Sequence, residues 1–121
     1  MENKTVLVLG ASTNPERFAN KAIHKLLDHG HTVMGIGSRP GVVRHVAFVQ
    51  PEDVSGPVHT VTLYLGPANQ VPYYNFVLSL QPERIIFNPG TENDEFAAMA
   101  QAKGIQCVKN CTLVMLDTGL F

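Results

Sequence analysis

The chain has 121 residues, 45% of them hydrophobic and 16% charged, with a formal net charge of −1. That length supports one core without disulfides or a structural metal. The near-neutral charge excludes long-range attraction to nucleic acid or to an anionic membrane, so an anionic ligand must be held by one or two local cations.

No apolar run reaches the length of a membrane span, and the start, Met1-Glu2-Asn3-Lys4, lacks signal-peptide anatomy. The two cysteines, Cys107 and Cys111, make no disulfide framework, and a cytoplasmic location is expected. They have no second Cys/His pair at zinc-like spacing, so no metal site is expected. Nothing reads as a linker or a repeat, and residues 1–121 are expected to form a single domain.

Thr5 to Leu9 is a continuous apolar, β-branched run ending at a glycine, which predicts a buried strand. Ala19, Ala22, Ile23, Leu26 and Leu27 then define one face of a helix, with Asn20, Lys21, His24, Lys25 and Asp28 opposite. Gly30 suits the left-handed position that caps it. Thr32 to Ile36 predicts the second strand. Val42 to Pro57 is the least legible stretch, with His45 to Val49 as a short strand and a turn from Pro51.

Val61 to Leu65 predicts the third strand of the main sheet. Ala68 to Leu80 follows as a helix burying Val71, Tyr74, Val77 and Leu78, with Pro72 in its first turn. Of the adjacent Tyr73 and Tyr74, one is expected in the core and the other over a cleft or a homodimer contact. Arg84 to Phe87 predicts the fourth strand. Thr91 and Asp94 resemble a capping box for a helix that buries Phe96, Met99 and Ala100 and stops at Gly104. Ile105 to Val108 predicts the fifth strand, and Thr112 to Phe121 reads as either a short helix or an edge strand.

Apolar strands alternating with amphipathic helices predict an α/β, Rossmann-like three-layer sandwich around a five-stranded, mostly parallel sheet. Ligands of such sheets bind beyond the carboxyl ends of the strands, where the strand order reverses. Four loops therefore matter. In the first, Gly10, Ala11, Ser12, Thr13 and Asn14 let backbone and short side chains approach a phosphate at a helix start, and Arg17 adds charge. It is neither G-x-G-x-x-G nor a Walker A loop.

The second loop has Gly37, Ser38 and Arg39 where NAD-binding domains place an acid on the ribose. Arg39 suits a ribose phosphate instead, which argues against NAD and leaves NADP and coenzyme A open. Gly66 and Pro67, then Asn88, Pro89 and Gly90, complete the mouth, and Cys111 follows the fifth strand near it. Cys107 is expected to pack as a small hydrophobe. His24, His29, His31, His45 and His59 are scattered, with no triad or His–carboxylate grouping. Glu92, Asp94 and Glu95 are expected to complement a helix dipole.

Three stretches carry a family resemblance: Val6-Leu7-Val8-Leu9-Gly10-Ala11-Ser12-Thr13-Asn14-Pro15-Glu16-Arg17; His29-Gly30-His31-Thr32-Val33; and Ile86-Phe87-Asn88-Pro89-Gly90-Thr91-Glu92-Asn93, continued through Gly104-Ile105 to Cys111-Thr112-Leu113-Val114-Met115-Leu116. With these the chain resembles the small stand-alone CoA-binding-domain proteins, related to the CoA-binding domain of succinyl-CoA synthetase. The resemblance implies coenzyme A across the strand ends. Gly10, Ala11, Ser12 and Arg17 would face the phosphates, and Gly37 and Arg39 the adenosine. Gly66 and Pro67 would line the middle, with Asn88, Gly90 and Cys111 towards the pantetheine. The chain departs from the family at Gly37-Ser38-Arg39, where many relatives have a Val-Asn-Pro type sequence, and at Phe87-Asn88-Pro89, where many have an aromatic-Leu-Gln run.

The first reading is a module that binds coenzyme A or an acyl-CoA without catalysis of its own. An NADP-dependent oxidoreductase and a regulatory or interaction subunit with a vestigial cleft are the alternatives.

Overall fold

The computed structural model describes residues 3–121. In β1 (Thr5–Ala11), Val6 and Val8 pack on one side and Leu7 and Leu9 on the other, all with no exposure. A strand with two apolar faces must be covered twice, and the rest of the chain does this. It continues through α1 (Phe18–Asp28), β2 (Thr32–Gly37), a hairpin of β3 (Val42–Val43) and β4 (Val46–Ala47), a 3-10 turn (Pro51–Asp53) and β5 (Thr60–Leu63). Then come α2 (Pro67–Gln70), a second 3-10 turn (Val71–Tyr73), α3 (Tyr74–Leu80), β6 (Arg84–Phe87), α4 (Asp94–Gln101), β7 (Gln106–Lys109) and α5 (Thr112–Thr118).

The five main strands are parallel, in the order β2-β1-β5-β6-β7. On one face Leu7, Leu9, Val61, Leu63, Ile85 and Phe87 pack against Tyr74, Val77, Leu78, Phe96 and Ala100 of α3 and α4. On the other, Val6, Val8 and Val33 meet Ala19, Ile23 and Leu26 of α1, Leu116 of α5, and Val43 and Val46 of the hairpin. This is a Rossmann-like three-layer α/β sandwich.

Several local expectations need correction. The helix expected over Ala68–Leu80 is broken in three, because Pro72 has no N–H and so cannot continue the ladder. Val71 is consequently 54% exposed, and Gln70 occupies a fully buried place nearby. Asn20 lies in the core-facing side of α1, donating from Nδ2 to the Ser12 carbonyl at 3.0 Å. The cap of α4 is Asn93, whose Oδ1 accepts from the Phe96 amide at 3.1 Å, while the Thr91 hydroxyl donates to the Asn88 carbonyl. Met99 is only half-buried. The tail is the helix α5, closed by Gly119 at φ 76°. Gly30, at φ 83°, follows α1 in the left-handed conformation.

Residues 42–57 hold the hairpin, whose β4 lies within the strand expected from His45 to Val49 and whose β3 was not expected. Its function in the fold is carried by Phe48, which lies over Gly35, Gly37 and Gly41. A Cβ on Gly37 would stand 2.6 Å from the Ala11 carbonyl oxygen and 3.0 Å from the Phe48 ring. Gly37→Ala is therefore expected to lower the unfolding free energy by about 1–3 kcal/mol, the usual cost of overpacking, in urea titrations. Unchanged stability would mean that this crossing is looser than the geometry indicates.

Candidate functional site

The strand order leads the chain from β1 outward to β2 and later back to β5 on β1's other side. The loops after β1 and β5 diverge, and a crevice opens between them. The chain leaves β1 through an irregularity in register between Leu9 and Ala11. Gly10 sits there at φ 100°, and a Cβ on it would lie 3.0 Å from the Tyr64 backbone carbonyl. Only glycine combines that dihedral with so close an approach. The Tyr64 amide donates to the Leu9 carbonyl at 2.8 Å and fixes the crossing.

The loop beyond is shaped by its own polar side chains. Ser12 Oγ accepts from the Asn14 amide at 3.1 Å and Asn14 Oδ1 from the Glu16 amide at 3.0 Å. The Asn14 carbonyl takes the Arg17 amide at 3.0 Å. Arg17 then caps α1 without a side-chain hydrogen bond, and the first turn of α1 holds no acidic residue. Its leading amides thus keep the partial positive charge of a helix start.

The resulting cleft has a volume of about 730 Å³, within the range of small-molecule sites. Of the residues singled out in the sequence, Gly10, Ala11, Ser12, Thr13, Asn14, Arg17, Ser38, Arg39, Gly66, Pro89 and Gly90 line it. Phe18, Ala19, Pro40, Phe48, Tyr64, Leu65, Asn69 and Thr91 complete the lining. Arg17 and Arg39 are its charged side chains among the described residues, of which no carboxylate, histidine, lysine or cysteine lines it. A second hollow of about 350 Å³ lies between α4 and β7, bounded by Asp94, Ala97, Cys107 and Lys109, away from the reversal in strand order.

The model of the CoA binding domain family matches residues 4–117. The chain belongs to this family. Among solved structures it resembles an uncharacterised protein at 43% identity and TM-score 0.96, with 100% of both chains covered. A Thermus thermophilus protein is 24% identical, at TM-score 0.87 over 98% of this chain and 91% of that one. A hypothetical protein from Pyrococcus horikoshii OT3 is 24% identical, at TM-score 0.86 over 98% and 84%. The latter two likenesses speak for the fold alone. No curated protein matches the chain.

Four of the singled-out residues lie outside the lining of this CoA-binding domain. Gly37 ends β2 beneath Phe48, and Pro67 opens α2, where its missing N–H costs nothing. Asn88 is turned inward and fully engaged. Its Nδ2 donates to Thr62 Oγ1 at 2.7 Å and to the Leu63 carbonyl at 2.8 Å, and its Oδ1 accepts from the Thr112 amide at 2.9 Å. It ties β6 to β5 and α5 rather than offering itself to a ligand. Cys111 precedes α5 and is not among the residues that line the cleft. The Gly90 amide is occupied by Glu92 Oε1 at 2.9 Å, so Glu92 serves this turn rather than a helix dipole, unlike Asp94 and Glu95 in the first turn of α4.

The far wall is held by a relay of amides. Gln70 Nε2 donates to the Leu65 and Thr91 carbonyls at 2.9 and 2.8 Å. Asn93 Nδ2 donates to Gln70 Oε1 at 2.9 Å and Tyr74 Oη at 2.8 Å. Tyr74 stacks on Phe96 in the core, and Tyr73 is half-buried against the same cluster without reaching the cleft. Cys107 packs there too, its pKa raised by burial. No helix is long and apolar enough to cross a membrane, and no group of three or more His, Cys, Asp or Glu stands at metal-binding distance among the described residues.

Sequence reasoning passed over Tyr64 because it falls within a predicted strand. Its hydroxyl is buried beside Thr62 and Thr112, whose own hydroxyls are already engaged with each other at 2.8 Å. Burial pushes its pKa up from 10.0 to about 12, against the partial help of Thr112 and Thr62. The neutral phenol is thus favoured by folding, a contribution complete below the unfolded value and lost as pH rises from about 10 to about 12. Tyr64→Phe is expected to reduce the alkaline loss of stability over that window, measured by urea titration at several pH values. An equally steep loss in the variant would show that another group is responsible.

Proposed function

We propose that the cleft binds coenzyme A or an acyl-CoA. The observation that carries this reading is a single open cleft into which a backbone-lined helix start and two arginines, Arg17 and Arg39, both face, in a chain of this family. In this reading Gly10, Ala11, Ser12, Thr13, Asn14 and Arg17 receive the pyrophosphate. Ser38 and Arg39 receive the 3′-phosphate of the adenosine. Gly66 supports the middle of the ligand, and Pro89 and Gly90 flank the pantetheine arm, with its thiol end leading away from the arginines.

The same lining supports binding without catalysis. Its titratable groups are two guanidiniums and a phenol whose pKa lies at about 12. Burial holds the phenol neutral, and no carboxylate, histidine or lysine among the described residues stands in the walls as a general base.

Melting temperatures with coenzyme A, dephospho-coenzyme A, NADP and NAD test the assignment. A ligand at about a hundred times its dissociation constant adds roughly 2.7 kcal/mol, or on the order of 10 °C in a domain of this size. Coenzyme A is expected to give the largest shift, with dephospho-coenzyme A weaker. A larger shift with NADP would reject the reading. In calorimetric titrations, Arg17→Ala and Arg39→Ala are each expected to weaken coenzyme A binding by about 1.5–3 kcal/mol. Unchanged affinity in both would remove the phosphate assignment.

A further inference from the structure

The edge of the sheet opposite the cleft carries one basic side chain at the start of each of four neighbouring strands. His31 precedes β2, Lys4 precedes β1, His59 precedes β5 and Arg84 opens β6. Three of these converge on the ring of Phe121. The Arg84 guanidinium carbon lies 4.3 Å from its centroid, Lys4 Nζ 5.7 Å, and the His31 ring centroid 5.0 Å. His31 is 4% exposed and Arg84 9%.

The geometry fixes the tautomer of His31. The Lys4 backbone amide donates to its Nδ1 at 3.1 Å, so in the neutral ring the proton resides on Nε2. That N–H is buried and has no hydrogen-bond partner among the described residues. Arg84 repeats the pattern. Its Nε donates to Thr60 Oγ1 at 2.8 Å, while Nη2 is buried with no hydrogen-bond partner among the described residues. Burial, then the charges of Lys4, His29, Arg84 and His59, lower the His31 pKa, and no carboxylate among the described residues offsets them there. Among the described residues the acid that acts on Arg84 is Glu83, which pairs with His59 Nε2 at 2.6 Å. This His–carboxylate pair corrects the expectation that the chain has none, and it stands far from the cleft.

Buried donors without acceptors are costly, above all on a charged group, and an oxyanion supplies both acceptors and countercharge. We propose that Arg84, His31 and Lys4 form a second site, for a small oxyanion of the phosphate class, beside the Phe121 ring at the amino-terminal edge of the sheet. Both donors are sealed from solvent against the Phe121 ring, so the ring must give way for the guanidinium and the imidazole N–H to donate to separate oxygens, with the Lys4 ammonium adding charge at the rim. The site shares no residue with the cleft, and its existence does not depend on what the cleft binds.

Inorganic phosphate is the probe, compared with chloride at equal ionic strength in mildly alkaline buffer. The full chain and an Arg17→Ala/Arg39→Ala double variant are both melted. Phosphate is expected to stabilise both, and to shift the His31 side-chain NMR signals saturably. Lys4→Met, at a half-buried position, is expected to weaken the apparent phosphate affinity by roughly tenfold. Arg84→Gln is expected to abolish the effect, and the His31 signals in the native chain serve as the readout if that variant does not fold. No stabilisation of the native chain, or a gain lost in the double variant, overturns the proposal. So does a gain that survives Lys4→Met with His31 unmoved.

Discussion

The cleft depends on one close crossing of backbones, where Gly10 passes the Tyr64 carbonyl and the Leu9 carbonyl accepts the Tyr64 amide. A side chain at position 10 would force the two strand ends apart. Because the chain passes so tightly, the next residues rise above the sheet edge rather than continuing along it, and α1 begins beside β5's loop. Everything that gives the cleft its positive potential follows from that exit: the helix start, Arg17, and the facing Arg39 from β2.

The two faces of the sheet are chemically unequal. The α3/α4 side is hydrocarbon, built on stacked and edge-on aromatics at Tyr74, Phe96 and Phe87. The α5 side of β5 and β6 is hydrogen-bonded. Thr62, Thr112 and Asn88 satisfy one another there, and Thr60 holds Arg84. Such a network specifies one seating of α5, since a shift of its first turn would strand the Asn88 amide. On the apolar side the directional hydrogen bonds lie at the rim, where Asn93 joins α4 to Gln70 and Tyr74.

The strands, the order of elements and the first loop were legible because they rest on local signals: β-branched apolar runs, a 3.6-residue stripe, and small residues before a helix. The segment from 42 to 57 was not. Phe48 belongs to a hairpin of two-residue strands, and its role arises from three glycines on other segments. Asn88 looked like a cleft donor because it follows a strand. Its inward turn is decided by Thr62 and Thr112, which are distant in sequence. Tyr64 and Phe18 escaped notice because hydrophobic residues next to buried ones carry no mark of facing a cavity. His31 read as one of five scattered histidines and Arg84 as the first residue of a strand, and only the alignment of strand starts brings them together.

The amide relay through Gln70 and Asn93 also braces the mouth. Asn93 caps α4 while its other end grips Gln70, which in turn holds the carbonyls of Leu65 and Thr91. Gln70 thus couples the loops after β5 and β6 to the cap of α4, which Tyr74 Oη holds from the other side. Across the cleft, the loop from Ser12 to Arg17 has its own internal bonds and no tie to that relay. The mouth is therefore framed by two jaws, each braced from within.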